Sequence, residues 1–156
     1  MKFLRESSEI GLFRLFQCLI RGNSIKEKGV TVSFPTIEPD ELILMVNIDI
    51  KRHHMPCLKH FAELDSSVAL PDILLIYAKL QSGLIRVKFF LLELGKHEEA
   101  ELENKERGAR YLFENLGLQI NPSRTFVIIA GGSHGRQPRN RKYRKIRAEN
   151  LLSAIK

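Results

Sequence analysis

Apolar positions along the chain change spacing several times, and each change marks an element. Leu12, Leu15, Phe16 and Leu19 recur at i, i+3, i+4 and i+7, which predicts an amphipathic helix. Ser7 or Ser8 is placed to cap its start, Ile20 lies at its end, and Gly22-Asn23 stop it. Strand-like runs follow at Val30 to Phe34 and Leu42 to Ile50, separated by Pro35 and Pro39. Positions 51 to 70 read as irregular and polar. Two longer apolar stretches, Asp72 to Lys79 and Leu84 to Leu94, flank Ser82-Gly83. A second helix reads from His97 to Leu116 through Leu102, Ala109, Leu112, Phe113 and Leu116, ended by Gly117. Thr125 to Ala130 reads as a buried strand and Gly131 to Gly135 as a loop. A last helix from Arg141 carries Ala148, Leu151, Leu152 and Ile155. The order α, β, β, β, β, α, β, α predicts an α/β fold, a mixed sheet flanked by helices.

Composition narrows the class. A chain of 156 residues with 44% apolar and 28% charged positions has the profile of one globular domain. Two cysteines, Cys18 and Cys57, are too few for a disulfide scaffold and point to a reducing compartment. No apolar run approaches the 18 or more residues of a membrane span, and the first residues lack a secretory pattern. A cytoplasmic location without membrane contact is therefore expected.

Charge is unevenly placed. The net charge is +7, and residues 134–156 alone hold eight Lys/Arg against Glu149, so residues 1–133 balance to zero. This divides the chain into an α/β body, residues 1–133, and a basic segment, 134–156, belonging to the same domain. Such a stripe is the footprint of a polyphosphate binder, since each neutralised phosphate releases condensed counter-ions. Arg136, Arg139, Arg141, Lys142, Arg144, Lys145 and Arg147 are the candidate nucleic-acid contacts. A solubilising basic tail is the competing explanation.

The central hairpin brings chemistry with it. A two-residue turn at Ser82-Gly83 makes Gln81 face Leu84, which sets Asp72 opposite Glu93 with Cβ atoms roughly 4.5–5.5 Å apart. Residues pointing the same way, Leu74, Ile76, Ala78, Leu80, Ile85, Val87, Phe89 and Leu91, are all apolar, so this face is expected to meet the core. Opposed like charges destabilise a sheet. A shared proton or a hard divalent cation, Mg²⁺ or Mn²⁺, would relieve them. A bulge in either strand would instead shift the register and part the two acids.

Pro71-Asp72, the hairpin, and then Phe89-Phe90-Leu91-Leu92-Glu93-Leu94-Gly95-Lys96 resemble the PD-(D/E)XK nuclease superfamily, which includes restriction endonucleases and archaeal Holliday-junction resolvases. The resemblance spans Glu6 to Ala130 and implies a restriction-endonuclease-like αβββαβ core. It also implies Asp72 and Glu93 as metal ligands with the Leu94 carbonyl, and a first-helix glutamate, for which Glu9 is the candidate. The family lysine is missing, since Gly95 stands in its place. Lys96, turned inward by a bulge at Gly95, or Lys105 on the following helix are the substitutes. The implied activity is Mg²⁺- or Mn²⁺-dependent hydrolysis of DNA phosphodiester bonds. RNA stays open as a partner, as does a second copy of the chain in a homodimer. The competing functional reading is a catalytically inactive nucleic-acid-binding protein. A third is a structural partner-binding domain.

Three other patterns carry less. His53, His54, Cys57 and His60 have metal-ligand spacing, but adjacent histidines seldom both ligate zinc, and a surface loop is the simpler expectation. Gly131-Gly132-Ser133-His134-Gly135 matches G-x-S-x-G, yet no histidine follows to complete a hydrolase triad. The run from Lys96 to Arg110 reads as a solvated helix face with Glu101–Lys105 and Glu106–Arg110 pairs.

Overall fold

The hairpin around Ser82-Gly83 forms the middle of the main sheet in a computed structural model of the chain, which describes residues 2–34, 37–51, 57–95, 98–129 and 142–156. Strands β4 (Ile73–Gln81) and β5 (Leu84–Leu94) pair antiparallel from Gln81↔Leu84 to Ile73↔Leu92, the register expected from the turn. Ser82 and Gly83 both have positive φ, 52° and 76°, as a two-residue turn matched to strand twist requires. Strand β3 (Glu41–Asn47) pairs antiparallel with the outer edge of β4. On the other side β6 (Arg124–Ile129) and β7 (Tyr143–Arg147) add in parallel. The sheet order is β3-β4-β5-β6-β7, and a separate two-stranded ribbon joins β1 (Ser24–Glu27) to β2 (Val30–Ser33).

Both faces of the main sheet are covered. One face, with Leu74, Leu91 and Val46, packs under α1 (Lys2–Gln17), the short α2 (Leu58–Phe61) and α3 (Glu99–Asn115). The other, with Leu75, Leu92, Leu94, Phe126 and Ile128, packs on the β1–β2 ribbon and the C-terminal α4 (Leu151–Ile155), which follows one 3₁₀ turn at Ala148–Asn150. The acid-bearing face is thus a core face only over half its length. At the turn end Leu80, Ile85 and Val87 are exposed together with Leu42 on β3.

Several expected elements are corrected. Helix α1 begins at Lys2 and ends at Gln17, and its buried line is Gly11, Leu15 and Cys18. Leu12 and Phe16 are half exposed, and Leu19 lies beyond the helix in a single bridge to Val46. Gly11 explains the rotation: a Cβ there would sit 1.8 Å from the Leu116 carbonyl oxygen, so the helix docks by its glycine. Strand β1 was not foreseen, because Ser24–Glu27 holds a single apolar residue, Ile25.

The helix expected from Arg141 is instead strand β7 followed by the 3₁₀ turn and α4. Tyr143 and Ile146 are three apart, which on a helix would make one stripe but on a strand points to opposite faces. Both faces are covered here: Tyr143 packs with Leu102, Val127 and Ile129, and Ile146 joins the core on the other side.

Candidate active site

Main-chain bonding fixes Asp72 just before β4. Its N–H donates to the Leu92 carbonyl at 3.1 Å, and its own carbonyl accepts from Ile48 and Asp49 at 3.0 and 3.3 Å. The regular pairing ends at Ile73↔Leu92, and this bond to Leu92 is one step out of that register. The two carboxylates nevertheless come together, since the Lys28 ammonium reaches both. Asp72 Oδ2 accepts the Leu94 N–H at 2.8 Å. In an extended strand a residue's N–H and C=O point to the same side, so the Leu94 carbonyl faces the Asp72 side as well.

The acids are deeply placed. Glu93 has a side-chain exposure of 0% and Asp72 of 7%. Burial, then the neighbouring Asp72 carboxylate, pushes the Glu93 carboxyl up to about 7, against the opposing pull of Lys105 and Lys28.

Two lysines reach this pair. Lys105 Nζ donates to Glu93 Oε1 at 2.6 Å. It does so because α3 lies close on the segment before Asp72: a Cβ at Gly108 would sit 1.9 Å from the Ala69 carbonyl oxygen. Lys105 is one turn before Gly108, on the inward stripe of Leu102, Ala109 and Leu112. Of the two pairs expected on α3, Glu106–Arg110 forms at 2.6 Å, while Lys105 turns inward to Glu93.

The second lysine, Lys28, was missed. It forms the tip of the β1–β2 ribbon with Gly29, both at positive φ (51° and 75°). Its Nζ stands 3.3 Å from each Asp72 carboxylate oxygen and 3.6 Å from Glu93 Oε1. Burial disfavours its charge, but the Asp72 and Glu93 carboxylates outweigh that and raise its pKa. Its stem passes Gly95, where a Cβ would meet Lys28 Cδ at 3.7 Å. Gly95 has φ +95° and donates its N–H to Ile128. The sequence signal was available: Lys28-Gly29 sits between the alternating Ile25 and Val30, Val32, a short hairpin pattern.

The other expected site residues are less concentrated. Glu9 lies in the middle of α1, exposed, beside a surface depression it lines with Ile10, Phe13 and Arg14. Among the described residues no three His, Cys, Asp or Glu side chains form a metal-holding group. Lys96, His53 and His54, Arg136, Arg139 and Arg141, and the Gly131–Gly135 loop lie outside the described residues. Cys57 is buried at the start of α2 while His60 is exposed.

Strand β7 brings part of the basic segment into the sheet. Glu93 pairs with Val127, and Val127 with Lys145, so these three form one row on one face. At the spacing of adjacent strands Lys145 is roughly 10 Å from Glu93 across the row. Arg147 is on that face two positions further, at the carboxyl end of β7. Arg144 points to the other face and is exposed, and Lys142 pairs with Glu106 at 3.2 Å. Tyr143 donates its hydroxyl to the same Glu106 at 2.9 Å, tying β7 to α3.

Set against protein-family models, curated proteins and solved structures, the chain matches none. Among the described residues no helix is long and apolar enough to cross a membrane.

Proposed function

We propose that the chain is a divalent-metal-dependent nuclease that hydrolyses DNA phosphodiester bonds, with Asp72, Glu93 and the Leu94 carbonyl holding Mg²⁺ or Mn²⁺. One observation carries this reading: two buried carboxylates lie side by side at the carboxyl end of β5, where open α/β sheets place ligands. The donor set suits a hard cation, and an ammonium already stands within 3.6 Å of three of its oxygens, at a place where positive charge is favoured. Two carboxylates suffice for Mg²⁺, which keeps several waters and takes further ligands from phosphate. The order α1, β3, β4, β5, α3, β6, with three antiparallel strands and a fourth in parallel, also agrees with a restriction-endonuclease-like αβββαβ core.

When bound, the cation would lower the pKa of a coordinated water and offset charge on the phosphate. The chain's own residues supply the rest. Lys105, anchored on α3, holds a positive charge at Glu93, suited to positioning a water or meeting developing negative charge. Lys145 and Arg147 extend positive charge along the same face, and they belong with Arg136, Arg139, Arg141, Lys142 and Arg144 to the basic stretch of sequence that would hold the polyanion without reading bases.

The inactive nucleic-acid-binding alternative keeps one observation in its favour: two lysines already neutralise the two acids, as in a structural ion-pair cluster. Plasmid cleavage in Mg²⁺, in EDTA, and with Asp72→Ala and Glu93→Ala decides between them. Cutting in Mg²⁺ that disappears in the other three conditions is expected. Binding that persists in all four without cutting overturns the nuclease reading.

A further inference from the structure

Among the described residues, two ammonium groups already face the acid pair without any metal. Asp72 and Glu93 bring at most two negative charges, and Lys28 and Lys105 stand at 2.6–3.6 Å from them with two positive ones. A divalent cation added to this cluster would leave two uncompensated positive charges in a buried place, which is costly. Withdrawal of one lysine halves that excess.

The two lysines are not held alike. Lys105 makes the short contact, 2.6 Å, from within a seventeen-residue helix, and its side chain is 18% exposed. Lys28 contacts are 3.3–3.6 Å, it sits on a two-residue turn, and its side chain is 45% exposed. Its ammonium also bridges the two acids, the position a shared cation would take, whereas Lys105 touches Glu93 alone. The Lys28 stem passes over Gly95 at ordinary contact distance, 3.7 Å from where a Cβ would stand.

We propose that Lys28 is an internal counter-ion that occupies the cation position of the acid pair and is displaced by the divalent metal, so that the β1–β2 tip sets the metal affinity of the site. This rests on the metal-site reading above. Without metal the ammonium bridges Asp72 and Glu93. On metal entry it swings to solvent about the Lys28-Gly29 turn, and Lys105 stays in place.

Two measurements on the full chain test it. Mn²⁺ binding is followed by calorimetry for wild type, Lys28→Gln and Lys28→Arg, with folding checked by circular dichroism. Amine acetylation of wild type, read by peptide mass spectrometry, is compared with and without Mn²⁺. Expected are at least tenfold tighter Mn²⁺ binding by Lys28→Gln, about 1.4 kcal/mol, and wild-type-like binding by Lys28→Arg. Lys28 labelling should rise several-fold with Mn²⁺ while Lys105 labelling does not. If Lys28→Gln fails to fold, the labelling of wild type decides. Wild-type Mn²⁺ binding with unchanged Lys28 labelling, or with no gain in Lys28→Gln, overturns the displacement and leaves the metal site standing. Absence of millimolar Mn²⁺ binding in every variant overturns the metal reading together with it.

Discussion

Replacing Glu93 with glutamine isolates the cost of keeping a carboxylate inside this protein. Burial and then Asp72 raise the Glu93 carboxyl from 4.5 to about 7, even with Lys105 at 2.6 Å. The folded chain therefore holds this proton more tightly than the unfolded chain. The stabilising contribution is complete below the unfolded value and is lost as pH rises through about 7. At 1.36 kcal/mol per unit the whole effect is about 3 kcal/mol, of which about 2–3 kcal/mol falls between roughly pH 5 and 8. Glutamine has no proton to lose. Urea unfolding of both proteins in EDTA, stepped across that range, should show the stability of wild type relative to Glu93→Gln falling by that amount as pH rises. Shifts elsewhere, such as the lowered Glu106, are common to both and cancel in the difference. Parallel profiles would refute the claim that Glu93 is a buried, proton-hungry acid.

Three other substitutions probe the supports of the site. Lys105→Met removes the shorter of the two lysine contacts of a fully buried carboxylate, leaving Lys28 at 3.6 Å, and should cost about 1–3 kcal/mol above pH 7. Denaturation should show a smaller loss near pH 5, where Glu93 carries its proton. Gly108→Ala puts a methyl group 1.9 Å from the Ala69 carbonyl oxygen. Forcing α3 away should cost about 1–3 kcal/mol, visible as a lower Tm. Tyr143→Phe deletes the hydroxyl donated to Glu106 and should cost about 1–2 kcal/mol in chemical denaturation, with the fold unchanged by circular dichroism.

The central hairpin was legible because its information is local: a Ser-Gly turn fixes strand twist, and parity then fixes every pair up to Ile73 and Leu92, the neighbours of the two acids. Lys105 was legible as a residue on the inward stripe of a helix with clear periodicity. What escaped the pattern depended on contacts distant in sequence. The rotation of α1 follows from Gly11 meeting Leu116, a close approach invisible in a stripe of leucines and phenylalanines. Strand β7 was hidden because three-residue spacing suits a helix unless both faces of a strand are covered. Lys28 lies 44 residues from Asp72, and only the folded ribbon shows that its side chain fills the space beside Gly95.

Anomalous scattering from crystals of the full chain grown with Mn²⁺ is the most direct test of the acid pair as a cation site. The account predicts a manganese peak shared by the Asp72 and Glu93 carboxylates beside the Leu94 carbonyl, with Lys28 withdrawn and Lys105 still on Glu93. Density showing the Lys28 ammonium bridging both acids in millimolar Mn²⁺, with no metal peak between them, would contradict it.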